Sequence, residues 1–206
     1  MSTKKGWVAG WIMLTALSAG MAHAAPEDDY KEGVQAQIKD DLQTAMPLFK
    51  RAAEAGHTPS MTALGTLLDQ AEENDAALGW LTKAANAGDA AGMLGLGALL
   101  LSGDVGKNRD KEGLAWIEKS AEKQHGPAVM VLAKILMAGK NGATVDPERA
   151  LRLLQTSAEA GFIPAIKELA RIYRTGDAGV KPDPALAKSW EAKVPEPPRA
   201  KKNVTR

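Results

Sequence analysis

A short apolar string occurs four times in this chain of 206 residues. Its first leucine is Leu64, Leu96, Leu132 or Leu169, so successive copies are 32, 36 and 37 residues apart. A pair of small residues keeps the same three steps, from Ala52-Ala53 to Ser157-Ala158. Two strings that recur with the same spacings indicate a structural repeat. A repeat of about 20 to 50 residues buries its apolar face only by stacking on its neighbours. The pattern predicts a solenoid and lowers the expectation of an enzyme.

The first 24 residues resemble a secretory signal peptide. Lys4 and Lys5 precede an uncharged apolar run over residues 7–19, and Ala22-His23-Ala24 forms a small-x-small cleavage site. This pattern predicts cleavage after Ala24 and export, to the periplasm as the first expectation and to the extracellular space as the second. The alternative is an uncleaved anchor, but the run is shorter than the roughly 20 residues that a membrane span needs. After cleavage, no membrane insertion is expected.

Composition excludes several classes of site and partner. The sequence has no cysteine, which excludes disulfides, thiolate metal sites, a cysteine nucleophile and a lipid anchor on a terminal cysteine. Of the 26 basic residues, Lys4 and Lys5 precede the cleavage site, which leaves 24 against 25 acidic residues and suggests no nucleic acid partner. Residues 195–206 are rich in proline and basic residues, and we expect a disordered tail there. A solubilising role is favoured for this tail over docking to an acidic partner.

Between the signal peptide and the tail, apolar residues recur at helical spacing and most runs end at glycine or proline. Each repeat is therefore predicted to be a pair of antiparallel helices. First helices are expected over 27–38, 59–70, 90–101, 127–138 and 164–174, and second helices over 41–55, 74–87, 110–124, 147–160 and 184–194. Gly56, Gly88 and Gly161 are expected to end three second helices in the left-handed conformation, with Gln124 at the equivalent position of the third repeat.

Residue size also repeats inside the helices. One position of the first helix is always small (Gly65, Gly97, Ala133 and Ala170), which predicts a close approach of neighbouring helices. One position of the second helix is always large, and its members are Leu48, Trp80, Trp116, Leu153 and Trp190. A repeated tryptophan can form a ligand platform, but a position that also takes leucine is predicted to be core.

The fifth repeat carries the most specific motif. Residues 170–183 read Ala-Arg-Ile-Tyr-Arg-Thr-Gly-Asp-Ala-Gly-Val-Lys-Pro-Asp, which resembles the A-x-x-Y-x-x-G-x-G-V-x-x-D core of Sel-one-like repeats with one extra residue between the loop glycines. Residues 80–85 and 116–121 resemble the end of the K-A-x-x-W-x-x-K-A-A helix of that family. The chain is thus identified as a member of the Sel-one-like repeat family, a branch of the tetratricopeptide superfamily, over residues 25–194. The resemblance implies an all-α, right-handed superhelical solenoid of about five antiparallel helix pairs that contacts other proteins. It implies no single function.

Residues that could carry chemistry are few. His57 and His125 occupy equivalent turn positions two repeats apart, which favours exposed turn residues over zinc ligands. Glu72, Glu73 and Asp75 form an acidic cluster that is typical of a solvated turn rather than of a calcium site. No phosphate loop, hydrolase elbow or paired-carboxylate motif occurs at a meaningful spacing. We therefore expect no catalytic residue, no metal and no cofactor.

A binding surface is the remaining candidate. In superhelices of this type the first helices line the concave side, and one face of each helix holds the residues two before, two after and five after the repeated leucine. Along the array this face changes from threonine to arginine, which is unusual for core positions. The candidate partner-binding residues on it are Leu94, Leu101, Met130, Lys134, Met137, Lys167, Arg171 and Arg174. An apolar centre beside a cationic end fits a peptide with apolar anchors and a carboxylate. The alternative is that the four apolar members pack against a neighbouring repeat.

The leading hypothesis is an exported, non-enzymatic and monomeric protein that binds another protein or a peptide through its concave face, as a scaffold, adaptor or regulator of an envelope process. A second hypothesis is an immunity or inhibitor protein that neutralises a secreted toxin. A third is an enzyme acting on cell-wall material, which the lack of a nucleophile-base constellation disfavours.

Overall fold

The computed structural model describes residues 25–195. This part of the chain consists of ten α-helices and a short 3-10 helix at Asp177–Gly179, without a strand. The helices are α1 (Pro26–Ile38), α2 (Leu42–Glu54), α3 (Thr58–Gln70), α4 (Asn74–Asn86), α5 (Ala90–Ser102), α6 (Asp110–Glu122), α7 (Gly126–Ala138), α8 (Pro147–Glu159), α9 (Ile163–Thr175) and α10 (Pro184–Glu191). The predicted signal peptide, residues 1–24, and residues 196–206 of the predicted tail lie outside the described residues.

The predicted all-α solenoid of helix pairs is confirmed. Nine helices begin and end within two residues of the predicted bounds, whereas α10 ends at Glu191 instead of residue 194. The reason is local: Val194 precedes Pro195, and a residue before proline disfavours helical backbone. Among the described helices, none combines the length and the apolarity needed to cross a bilayer.

The second helices of the first four repeats end in one shared cap. Gly56, Gly88 and Gly161 follow three of them with φ values of 89°, 87° and 88°, and Gln124 takes the same place with φ 60°. The amide of Gln124 donates to the carbonyl of Ala121 at 2.9 Å, as in the glycine caps. A left-handed conformation costs a residue with a side chain about 1–2 kcal/mol, so the cap at Gln124 carries strain that the three glycine caps avoid.

The two helices of a repeat meet at small residues, as predicted. A Cβ atom at Gly65 would lie 2.7 Å from Cγ of Leu81. A Cβ atom at Gly97 would lie 2.7 Å from the carbonyl oxygen of Gly113. In the α5–α6 pair, backbone therefore contacts backbone with no side chain between.

The stacking of the repeats is asymmetric. Each helix packs against its neighbours in sequence, and the first helices also contact one another across repeats, α3 with α5, α5 with α7 and α7 with α9. Within residues 25–195, contacts between the second helices of successive repeats are weaker. This is the asymmetry expected of a superhelix with its first helices on the concave side and its second helices on the convex side.

Two apolar clusters form the core of the described region. One joins α1 to α5 around Phe49, Leu81 and Leu96. The other joins α6 to α10 around Ile117 and Leu154. They meet at the α5–α6 pair, because side chains of each helix also pack on the cluster of the other.

A buried charge connects α1 to α2. Asp29 is 1% exposed, and Arg51 donates from Nε to its Oδ2 at 2.6 Å and from a second nitrogen to its other oxygen. This ion pair raises the pKa of Arg51. A buried carboxylate is stable only with such neutralisation, so the pair fixes the two helices in one register.

Candidate partner-binding surface

Each first helix has three equivalent positions that are predicted to face the concave side, and we call these positions the concave row. In chain order its members are Tyr30, Val34 and Gln37; Thr62, Thr66 and Asp69; Leu94, Ala98 and Leu101; Met130, Lys134 and Met137; Lys167, Arg171 and Arg174. Sequence reasoning missed the three members in the first repeat. They lie 32 residues before the members in the second repeat, so the repeat spacing alone could have identified them.

Exposure divides the concave row into two sets. Its exposed members are Gln37, Ala98, Lys134, Lys167, Arg171 and Arg174. The apolar members predicted to bind a partner are half-buried instead and pack on the core cluster of α6 to α10; they are Leu94, Leu101, Met130 and Met137. These four side chains therefore contribute to the core while part of each surface stays accessible.

One position of the concave row connects successive repeats. The hydroxyl of Thr62 donates to the carboxylate of Asp89 at 2.6 Å, at the start of the third repeat. The ring of Tyr30, one repeat earlier, lies 4.9 Å from the ring of His57, centroid to centroid. Leu94 and Met130 occupy the same position, which is consistent with their packing on the core.

Intramolecular ion pairs neutralise most of the cationic end. Arg171 donates to Glu168 at 3.1 and 2.8 Å and also contacts Asp177. The carboxylate of Glu168 first, and that of Asp177 second, raise the pKa of Arg171, and the hydrogen bond from Arg171 lowers the pKa of Asp177. Arg174 contacts Glu191 of α10.

The positive charges of the concave row that have no acidic partner therefore belong to lysines rather than to arginines. Among the residues that the structure describes, Lys134 and Lys167 have no ion-pair partner. Both side chains are exposed. A carboxylate of a ligand has access to these two lysines without competing against an internal acid.

The acidic residues near the other end line a separate hollow. Asp69, Glu72, Asn74 and Asp104 surround about 350 Å³ between the loops that follow α3 and α5. Burial, and then the nearby charge of Asp104, raise the pKa of Asp69. Within residues 25–195 no group of three or more such side chains has the geometry to hold a metal ion. The predicted turn residues Glu72, Glu73 and Asp75 are all exposed.

The two predicted turn histidines are not exposed to the extent expected, and they lie in different junctions. His57 is half-buried, with Nε2 3.0 Å from Glu27 and Nδ1 2.8 Å from the hydroxyl of Ser60. The contact with His57 lowers the pKa of Glu27. His57 therefore connects α1 to α3, and His125 is half-buried two repeats further on.

A family model described as Sel1 repeat matches residues 24–57, 62–89, 90–125, 127–162 and 163–190. The chain belongs to the Sel1 repeat family. The five matches follow the five helix pairs. Sel1 repeats generally mediate protein–protein interaction, and their scaffold is generally non-enzymatic.

Solved structures support the same fold. A Sel1 repeat protein from Oxalobacter formigenes matches with a TM-score of 0.74 and 23% identity, over 85% of this chain and 72% of that chain. A protective antigen present in uropathogenic Escherichia coli strains, which displays an SLR fold, matches with a TM-score of 0.64 and 26% identity. The second match covers 80% of this chain and only 37% of the antigen, so this chain spans little more than a third of that protein.

The repeated tryptophans of these Sel1 repeats pack on the core, as predicted. Trp190 is 6% exposed, and Trp80 and Trp116 are half-buried against the cluster of α1 to α5. In each case the lysine three residues later covers the ring, with Nζ 3.8 to 4.1 Å from the centroid. Each of these lysines therefore makes a cation–π contact with the tryptophan three residues before it.

Proposed function

We propose that this Sel1 repeat protein is exported to the periplasm and binds a protein or peptide ligand through the concave row, as a non-enzymatic scaffold, adaptor or regulator. The observation that carries the proposal is the change of exposed chemistry along the row. Ala98 is small, whereas Lys134 and Lys167 are unpaired cations on the next two repeats. Core packing does not require this change, because the buried positions beside it stay apolar in all three repeats.

The ligand expected from this surface has apolar side chains next to a carboxylate. Leu94, Leu101, Met130 and Met137 leave part of their surface accessible beside the exposed Ala98. Flexible methionines adapt to varied apolar partners. Lys134 and Lys167 then provide charge at one end, which fixes the direction of the ligand and speeds its association.

Export rests on the amino-terminal sequence and on the start of the fold. The apolar run and the Ala22-His23-Ala24 site predict cleavage after Ala24. Because α1 begins at Pro26, cleavage there leaves all the helices of the described residues intact. Mass spectrometry of the protein from a periplasmic fraction should give a chain that begins at Ala25. A full-length chain in the membrane fraction would contradict export as proposed.

The binding test is capture from envelope extracts with residues 25–206 as bait and matched variants as controls. Ala98→Arg fills the concave row, whereas Ala115→Arg places the same side chain on an exposed alanine of the second helix α6. We expect the first change to abolish capture of a specific protein and the second to preserve it. Equal capture by both variants would exclude the concave row as the binding surface.

Charge reversal of the free lysines refines the test. Lys134→Glu combined with Lys167→Glu should weaken capture without loss of helicity, because neither side chain makes an ion pair within the described residues. Arg171→Glu with Arg174→Glu is less informative, since it also breaks the contacts to Glu168 and Glu191.

A further inference from the structure

An open hollow lies between α2 and α4, on the side of the second helices. Its volume is about 530 Å³. Leu64 and Leu68 of α3 form its floor, and Met46, Pro47 and Trp80 contribute to its walls. We call it the convex groove. It is separate from the concave row, since the second helices form its sides.

Comparison with a later repeat explains why this groove is open. Between α6 and α8, Arg149 donates to Glu118 at 2.7 Å, which joins the two second helices. The positions equivalent to Glu118 and Arg149 in α2 and α4 are Lys50 and Ala76. Ala76 has no side chain that could reach across, so no ion pair closes the gap.

The groove combines an apolar interior with opposite charges at its border. Lys50 of α2 and Glu73, which precedes α4, line it and are both exposed. Neither residue has an ion-pair partner among the described side chains. A ligand with apolar side chains and one charge of each sign is therefore complementary to it.

The chain contains a segment of that chemistry three residues beyond its last helix. Residues 195–199 read Pro-Glu-Pro-Pro-Arg. Proline fixes φ near the value of the polyproline II helix, the conformation that aromatic-lined grooves recognise. A bound polyproline II segment places residues three positions apart on one side, about 9 Å from each other, and three positions is the sequence spacing of Glu196 and Arg199.

This segment must come from a second copy of the chain, because the convex groove of its own chain is too far away. Packed helices lie about 8–10 Å apart, so three repeats separate the tail from the convex groove by roughly 30 Å. Arg199 is only four residues beyond Pro195 and reaches at most about 14 Å from it. Residues 195–199 of one chain therefore cannot enter the groove of the same chain.

We propose that the proline-rich segment 195–199 of one chain docks in the convex groove of a second copy, with Glu196 at Lys50 and Arg199 at Glu73. The contact joins the end of one solenoid to the beginning of the next. Such a heterologous contact produces open chains or closed rings. It turns the monomer expected from the sequence into a concentration-dependent assembly.

The direct test is binding of a fluorescent peptide of residues 194–206 to residues 25–206, measured by fluorescence anisotropy. Ala76→Glu should pair with Lys50 and close the groove, and we expect it to weaken peptide binding at least tenfold. Ala115→Glu is the matched control on an exposed alanine of α6, and it should bind like the unmodified chain. Equal affinity of the two variants would overturn the proposal.

A charge exchange tests the specificity of the contact. Lys50→Glu should weaken binding about fivefold, as expected for an exposed ion pair, and a peptide with Glu196→Lys should restore it. A peptide with Glu196→Lys and Arg199→Glu should bind the unmodified chain less well than the natural peptide. Equal binding would show that the groove accepts any proline-rich peptide, which would refute docking by this tail in particular.

Sedimentation velocity provides the readout on the whole protein. The weight-average mass of residues 25–206 should rise with concentration, and Ala76→Glu should abolish the rise. An unmodified chain that stays monomeric at concentrations above the peptide Kd would refute assembly through this contact. This test does not depend on binding through the concave row, because none of the substituted residues belongs to that row.

Discussion

Replacement of Gly97 by alanine should destabilise the fold, although alanine is the better helix former. A Cβ atom at this position would lie 2.6 Å from Cγ1 of Ile117, 2.7 Å from the carbonyl oxygen of Gly113 and 3.2 Å from the amide nitrogen of Ile117. Two of these three atoms belong to the backbone of α6. A rotamer change therefore cannot relieve the contact, and the two helices must separate.

The size of the effect follows from two opposing terms. Overpacking of a well-packed contact costs about 1–3 kcal/mol, and displacement of a whole helix places Gly97→Ala at the upper end. The gain in helix propensity from glycine to alanine offsets about 1 kcal/mol. The net loss in the free energy of unfolding is therefore about 2 kcal/mol.

Gly79→Ala is the matched control. Gly79 is an exposed residue of α4, and a Cβ atom there would have no neighbour within 4 Å. Only the propensity term applies, so this variant should be more stable by about 1 kcal/mol.

Urea unfolding of both variants, followed by far-ultraviolet circular dichroism, should give midpoints on opposite sides of the unmodified protein with unchanged slopes. A Gly97→Ala protein as stable as the unmodified one would refute the argument from backbone contact.

Three further changes test other parts of the structure by the same unfolding assay. Gln124→Gly should stabilise the protein by about 1 kcal/mol, because glycine adopts the left-handed cap without a steric penalty; a lower midpoint would refute the assignment of strain. Arg51→Met should lower the midpoint, because it removes the guanidinium that neutralises the buried Asp29; an unchanged midpoint would show that this pair contributes nothing. Hydrogen bonds from the side chain and amide of Thr44 lower the pKa of Asp41 below its ordinary value of 3.8. The ionised Asp41 therefore stabilises the fold above about pH 4, and this contribution is lost as the pH falls through the lowered pKa; Asp41→Asn should reduce that acid sensitivity, and an unchanged pH profile would contradict it.

The helices were predictable because their signals are local. Three of the capping glycines, the prolines in the first turns and the spacing of apolar residues all act within a few positions of the element they define. The end of α10 was predicted three residues too late: the helix ends at Glu191, whereas Pro195 disfavours helical backbone only from the residue before it onward.

The candidate site was less predictable because its chemistry depends on pairing. Residue types alone indicated a cationic end, but Glu168 and Asp177 neutralise Arg171, and Glu191 neutralises Arg174. Glu168 lies three residues before Arg171, so helical spacing could have indicated that pair. Asp177 and Glu191 come from the 3-10 helix and from α10, and only the three-dimensional structure brings them to the two arginines. The missing ion pair at the convex groove, in contrast, could have been predicted from the sequence. The repeat spacing aligns Lys50 with Glu118, so the acidic partner is absent there.

The contact pattern of the solenoid also determines how the chain can acquire its structure. Within residues 25–195, substantial helix contacts join only helices that are adjacent or next but one in sequence. No helix of this region depends on a distant segment, so each pair can fold onto those already formed during synthesis. Folding in this directional manner needs no long-range closure, which suits a chain that has no cysteine to join remote segments.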